Sequence, residues 1–492
     1  MELSKLTRAL AVTGRKNWNP TLEISAIVTD SRRTGPGDLF VACPGPETDG
    51  HLHYEEAIRR KAAVLVGERP LRVLLPAGVS FIQVASSREA LSLLLNQFYD
   101  FPSRRLKLIG ITGTNGKTTL AYLLKSLLNF RIPSAYLGTL GYESPRAKAA
   151  LGNTTPGSVE LYRLLNEAVK EGVRSVALEV SSHALDQQRI GGLEFELAVF
   201  TGLSPEHLDY HKTMADYYGA KRRLFEAPYS PKKILINRDS EYGKKLLGEH
   251  PGSKTYSLEG EADYRAREIT ARFEGSEFVF EWPGGRSKFH SSLALRHNVE
   301  NMTAVLASLH LLGFNPGEFR EALGKFSGVP GRLEPIEAEG FRVFVDYAHT
   351  PDAFENVLAR ARELHPRRIL TLFGCGGDRD SAKRPEMTRI AYRYSDIVVL
   401  TSDNPRTEDP AEILRQMRCG LPSASNLPNV REIPDRREAL GELLAMAEAG
   451  DVLFILGKGH EDTQVLATRK IHFDDRETVR EILKQRQAPL LH

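Results

Sequence analysis

The chain has 492 residues, 41% of them apolar and 26% charged, and its 66 basic and 63 acidic side chains leave a net charge of +3. That length predicts about three domains, and the near balance of charge excludes a basic nucleic-acid or membrane-surface protein. Cys43, Cys375 and Cys419 are odd in number and far apart, which excludes a disulfide framework and a paired-cysteine metal knuckle.

The opening MELSKLTRALAVTGRKNWNP lacks the continuous apolar segment of a signal peptide, and no stretch approaches the roughly 20 apolar residues of a membrane span. A cytoplasmic protein is expected. The first block, 1–103, contains VTDSRRTGPGDLFVACPG, which reads as a strand, a polar turn and another strand, and Phe101-Pro102-Ser103-Arg104-Arg105 reads as a linker. The second block, 104–331, opens with the strand LKLIGIT, a Gly-rich loop and the helix TTLAYLLKSLL. Apolar strands follow at SVALEV, LAVFTGL and KKILIN, and the block closes near Gly328-Val329-Pro330-Gly331. Strands alternating with helix-like stretches predict a parallel sheet covered on both faces. The third block, 332–492, repeats the alternation with FRVFVDYA, RRILTLFG, DIVVLTS and DVLFILG. The expected fold class is therefore α/β in three domains. Ligands of open parallel sheets bind outside the carboxyl ends of the strands, so the loops there are where chemistry is sought.

Between LIGIT and its helix stands Gly113-Thr114-Asn115-Gly116-Lys117-Thr118-Thr119. Such a turn lets backbone N–H groups cradle phosphates at the positive end of a helix. Lys117 would reach the β/γ-phosphates and the Thr118 hydroxyl would hold Mg²⁺. Ile111 stands where a generic phosphate loop has its first glycine, so an ordinary Gly-rich turn with a solvated lysine is the competing reading. Glu179 ends SVALEV, and His207 and Asp209 lie in LSPEHLDYH. A strand-end carboxylate beside a phosphate loop suits Mg²⁺. Alone, the carboxylate could cap a loop and the histidine could be a surface side chain; several loops converging on one edge weigh against both. In TMADYYGAKRRLF, Met214, Tyr218, Lys221 and Phe225 fall on one helical face. A lysine in that stripe either snorkels to water or is a desolvated amine of lowered pKa, able to react with CO₂.

GTNGKTT after ITG resembles the nucleotide loop of the Mur ligase family, which also includes folylpolyglutamate synthetases. These enzymes activate a carboxylate as an acyl phosphate that an amine then displaces. The resemblance runs over nearly the whole chain and implies an N-terminal uridine-binding α/β domain, a central P-loop-type ATPase and a C-terminal Rossmann-like domain. It implies ATP and Mg²⁺, with Thr118 and Glu179 at a first metal and His207 with a carbamylated Lys221 at a second. Asn301, in HNVEN, resembles the adenine contact; Arg332, in PGRLE, the arginine that reaches the γ-phosphate; and Asp346, in VDYAHTPDA near His349, the ribose acceptor. A strand-end turn is the alternative for Asp346.

For the nucleotide-sugar substrate, the resemblance points to Ser31 in TDSR, Pro46-Glu47-Thr48, Asn153-Thr154-Thr155, and Ser181, Gln187 and Arg189 in SSHALDQQRI. Singly, each of these could be turn or cap chemistry. For the amino-acid acceptor it points to Arg379 in GGDR, Asp403-Asn404-Pro405-Arg406, and Gly457 and Glu461 in GKGHE. Acceptor oxygens at Gly457 and Glu461 suit an ammonium, and the two arginines suit carboxylates. A cation at Arg406 favours meso-2,6-diaminopimelate, whose far end carries a second carboxylate, over L-lysine. The expected reaction joins it to the D-glutamyl carboxylate of UDP-N-acetylmuramoyl-L-alanyl-D-glutamate, in a monomer without nucleic-acid or membrane partners. The alternatives are a lysine-adding ligase on the same scaffold and a non-ligating nucleotide-binding paralogue. The latter should have lost Lys117, Glu179, His207 or Lys221, and all are present.

Overall fold

The computed structural model describes residues 1–45, 48–423 and 427–487, so the expected contacts Pro46 and Glu47 lie outside the described residues. The first sheet has the spatial order Val12–Lys16, Ser80–Val84, Val64–Gly67, Leu39–Ala42, Ile27–Val28, parallel except at its Val12–Lys16 edge. The anticipated strand–turn–strand is Ile27–Val28, a 3₁₀ turn at Ser31–Arg33 and Leu39–Ala42. Helix Ser87–Phe98 is capped by Ser86, whose hydroxyl accepts from Glu89 N at 3.3 Å. It joins the first sheet to the next unit: Ser92 Oγ donates to Gln188 O at 2.7 Å and Asn96 Nδ2 to Gly192 O at 2.8 Å. The expected linker folds as a 3₁₀ turn at Pro102–Arg105.

The second sheet has 11 strands. At its centre Lys107–Thr112 lies between Ser175–Glu179 and Leu197–Phe200, with Ser134–Gly138 and Ile234–Asn237 outside them, all parallel. Leu108, Ile109, Ile111, Val176, Leu178 and Val199 are fully buried, as a sheet covered on both faces requires. Helices Lys117–Leu128 and Arg296–Leu311 pack together on one face, sharing a core with Ile109 and Val199. An antiparallel extension, Tyr264–Ala271, Ser276–Trp282 and Gly285–Ser291, was not anticipated. Its period-2 alternation, with Phe278 and Phe280 inward, is a strand signal.

The third sheet runs Glu334–Ile336, Arg342–Asp346, Val452–Leu456, Ile369–Phe373, Ile397–Leu400, Val430–Glu432, with only the first strand antiparallel. All four strands expected there are present, and their carboxyl ends share one edge. A hairpin, Thr463–Leu466 with Arg469–His472, folds against that edge: Arg406 N donates to Val465 O at 3.1 Å. Among the described residues no helix is long and apolar enough to cross a membrane.

Candidate active site

The phosphate loop turns sharply at Gly116, whose φ of 81° would strain any other residue. A Cβ there would also come within 2.5 Å of Asn301 Oδ1. Helix Lys117–Leu128 starts directly after it, so backbone amides and the helix dipole face the loop's mouth. The Lys117 ammonium folds back onto its own turn, donating to Gly113 O at 2.9 Å and Thr114 O at 2.7 Å.

Glu179 ends the neighbouring strand and is fully buried. Thr118 Oγ1 donates to its Oε2 at 3.0 Å, Thr139 N to Oε1 at 3.0 Å and Thr139 Oγ1 to Oε2 at 3.1 Å; the Tyr136 hydroxyl completes the set. Burial and the Glu179 charge push that phenol well above its ordinary pKa, so it stays a donor. Four donors hold this carboxylate in one orientation.

Lys221 is 1% exposed and donates to Gly113 O at 2.7 Å. Its ammonium lies 4.7 Å from the centroid of the Tyr217 ring, one residue off the stripe read from the sequence. The helix ends at Arg222 and tightens to 3₁₀ at Arg223–Phe225, which breaks the 3.6-residue spacing towards Phe225. Arg222 and Arg223 turn outward to Glu226 and Asp186. Burial, then the neighbouring Lys117, pushes the Lys221 amine well below the ordinary lysine range, with Glu206 opposing. Lys117 is depressed by burial too, against the pull of Glu206 and Glu179.

His207, at φ 57°, opens the short helix Leu208–His211, and its ring stacks edge-on to His183 at 4.8 Å. Asp209 lies exposed in that helix. Glu206, beside His207, escaped the sequence reading. Burial alone would raise its carboxyl, but His207, Lys117, His349 and Lys221 together hold it below the ordinary value. The signal was adjacency to His207 in PEH.

Several residues expected to touch the nucleotide sugar also carry local duties. Thr155 Oγ1 donates to Glu179 O at 2.7 Å and accepts from Ser181 N at 3.0 Å, and Ser181 caps helix Ser182–Asp186. Arg189 donates to Thr155 O at 2.7 Å and to Gln187 Oε1. Thr154 lies 3.1 Å from Thr139 Oγ1, and Asn153 is exposed. In the first unit Ser31 Oγ donates to Glu56 Oε2 at 2.6 Å, and Thr48 Oγ1 lies 3.0 Å from the His53 ring.

The third unit closes over this edge. Arg332 Nη2 donates to Thr118 Oγ1 at 3.0 Å, its guanidinium lying over Tyr347. Asp352, also unforeseen, accepts from Ser204 Oγ at 2.8 Å and from Asn115 on the phosphate loop. Asp346 accepts from Leu333 N and Ala348 N, both at 2.7 Å, so it orders the interdomain turn whatever else it binds. At the far edge Asn404 Nδ2 donates to Glu461 Oε2 at 2.8 Å. The fully buried Lys458, visible in GKGHE but not singled out, donates to Thr463 O at 2.6 Å and lies 3.5 Å from Glu461. Arg406 Nη1 donates to Gly377 O at 2.7 Å, and Arg379 beside it is exposed. Gly457, at φ 108°, lets its strand end pass close to Asp403; Pro405 is buried between the loops.

Three family models tile the chain: the Mur ligase family catalytic domain at 23–99, the Mur ligase middle domain at 111–309 and the Mur ligase glutamate ligase domain at 331–459. A relative from Gloeobacter violaceus, a UDP-N-acetylmuramoyl-L-alanyl-D-glutamate–2,6-diaminopimelate ligase, is 41% identical over 491 residues, covering 99% of this chain and all of that one. The chain belongs to the Mur ligase family. A relative of the same name from Solibacter usitatus is 42% identical over 94% of both chains. A solved ligase of that name matches this Mur ligase at 32% identity with a TM-score of 0.71 over 99% of both chains. Mycobacterium tuberculosis folylpolyglutamate synthase, 18% identical with a TM-score of 0.61 over 75% of this chain, shares the fold alone.

Proposed function

We propose that this Mur ligase uses ATP to join meso-2,6-diaminopimelate to the D-glutamyl γ-carboxylate of UDP-N-acetylmuramoyl-L-alanyl-D-glutamate. The units 1–103, 104–331 and 332–492 serve the nucleotide sugar, ATP and the amino acid respectively. The observation that carries the reading is Arg406, held by Gly377 O, on a loop whose Asn404 also holds Glu461. It pairs a fork-shaped cation with an anion, as an amino-acid head group demands. Full-length relatives bearing the diaminopimelate ligase name support the same choice.

In the proposed reaction the γ-phosphoryl passes to the substrate carboxylate. The amine of the acceptor attacks the resulting acyl phosphate, and phosphate leaves. Positioning and charge neutralisation do most of such work. Lys117 and Arg332 converge on the phosphate loop to hold the transferring group, and Arg332 reaches it only when the third unit is docked. The hard oxygens of Thr118 and Glu179 fit Mg²⁺, which takes one or two carboxylates and completes its shell with phosphates and water. When bound there, the ion would neutralise charge on the phosphates. Among the described residues no three His, Cys, Asp or Glu side chains form a metal cage. A carbamate on Lys221 would add the oxygen ligand that His207 lacks, and the depressed amine is suited to forming it.

The test is ADP release with the UDP-muramoyl dipeptide, comparing meso-diaminopimelate with L-lysine. Turnover of diaminopimelate alone is expected. Equal turnover of lysine would overturn the reading in favour of the lysine-adding alternative.

A further inference from the structure

Beneath the acceptor pocket lie two charged pairs that no motif includes. Arg384, on helix Lys383–Tyr394, is 0% exposed. Its Nη1 donates to Glu408 Oε2 at 2.8 Å, and its Nη2 to Glu408 Oε1 at 2.9 Å and to Gly376 O at 3.0 Å. Glu408 Oε1 also accepts from Asp378 N. This pair therefore grips the loop bearing Arg379 from one side and continues the loop bearing Arg406 on the other. The two loops touch directly, Gly377 N donating to Asn404 O at 2.9 Å.

The second pair repeats the arrangement one loop further along. Arg436, 1% exposed, forks onto Asp475 at 2.8 and 2.7 Å. Its remaining donors reach Ser402 O and Leu456 O, both at 3.2 Å. Those carbonyls immediately precede Asp403 and Gly457, so the Asp403–Arg406 loop is tied to the Gly457–Glu461 loop. Few direct hydrogen bonds join these loops to one another, and a buried planar fork with two carbonyls in reach adds a rigid tie.

We propose that Arg384–Glu408 and Arg436–Asp475 are positioning residues of the acceptor pocket, each pair clamping two of its three loops so that Arg406 and Glu461 are held at the separation the amino-acid substrate needs. The proposal rests on the assignment of these loops to the acceptor.

The test removes each pair whole, as Arg384→Met/Glu408→Gln and Arg436→Met/Asp475→Asn. Exchanging both charges at once avoids stranding one in the core, and such exchanges are often neutral for stability. KM for the amino acid, whichever one the wild type accepts, should rise about tenfold or more, as small displacements of positioned groups do. KM for ATP and for the nucleotide sugar should stay within about twofold, and the unfolding midpoint should hold. Arg384→Lys, which keeps the charge and loses the fork, should fall between wild type and the double variant, and it decides the matter if the double variant does not fold. An unmoved amino-acid KM, or all three constants rising together, would overturn the proposal. A wild type that prefers lysine would instead overturn the substrate assignment and leave this test intact.

Discussion

The carboxyl edges of the central and third sheets are built differently. At the central edge the functional groups support one another: Thr118 holds Glu179, while Lys117 and Lys221 both rest on Gly113 O. At the third edge the expected acceptor groups are borne by three strand-end loops, and the ion pairs of the buried Arg384 and Arg436 are proposed to brace them. A self-supporting cluster should fail at the chemical step when any member is lost. A pocket hung on a scaffold should fail in affinity while the chemistry persists.

The sharpest contrast is expected at Lys117. Lys117→Ala should cut ADP formation by about a thousandfold or more while the nucleotide sugar still binds, measured by coupled ADP release and by calorimetry. Near-normal turnover would remove the phosphate-loop assignment and the contrast with it. Arg406→Ala should instead raise KM for diaminopimelate steeply, by the 2–5 kcal/mol that losing one partner of a buried charge pair costs, or about 30-fold and upward. KM for ATP should be nearly unmoved, and a change confined to kcat would erase the distinction between the edges. Lys221→Ala belongs with the central edge and should lower kcat about a hundredfold. A short carboxylic acid in the buffer should restore part of it by supplying the missing oxygens, and the absence of any rescue would argue against a carbamate.

The remaining expectation concerns stability, at Glu300 beside the expected adenine contact Asn301. Burial, reinforced by Asp239, pushes the Glu300 carboxyl up to about 7. A carboxyl raised in the folded state binds a proton that the unfolded chain has released. Its contribution is therefore present at low pH and is lost as pH rises from the ordinary value of 4.5 through about 7. Glu300→Gln should flatten that slope and stabilise the protein above neutrality by up to about 3 kcal/mol. Unfolding midpoints near pH 5 and pH 8 check this, and an unchanged slope would show that the carboxyl titrates normally.

The two edges also differ in how far they could be read from the sequence. GTNGKTT is contiguous, so strand, loop, helix and Lys117 were legible together, and Glu179 stood out as a carboxylate ending an apolar strand. Tyr136 and Thr139, which orient Glu179, come from a neighbouring strand, and only the sheet order brings them there. The Asp403–Arg406 and Gly457–Glu461 loops were legible as motifs. Their supports were not, because Arg384 and Arg436 belong to no motif and only the fold brings them against these loops. Lys221 was legible as a lysine in an apolar stripe, to be solvated or desolvated; it is buried, and the ring it meets is Tyr217, four residues back on the same helix. The antiparallel strands from Tyr264 to Ser291 were missed although their alternation was present.

The order of strands in the central sheet bears on how the protein is born. The first sheet draws every strand from residues 12–84 and can close as soon as that stretch is synthesised. Lys107–Thr112, which carries the phosphate loop, has both its neighbours downstream, at Ser175–Glu179 and Leu197–Phe200. Pairings this distant in sequence form slowly, since the chain between them must first be closed into a loop. While the polypeptide is still being made, the strand behind the phosphate loop therefore has no partner until Glu179 has emerged, and a partner on one side only until Phe200 follows. A fragment that ends before Ser175 lacks both strands that flank the phosphate loop, and nucleotide is not expected to protect it from proteases.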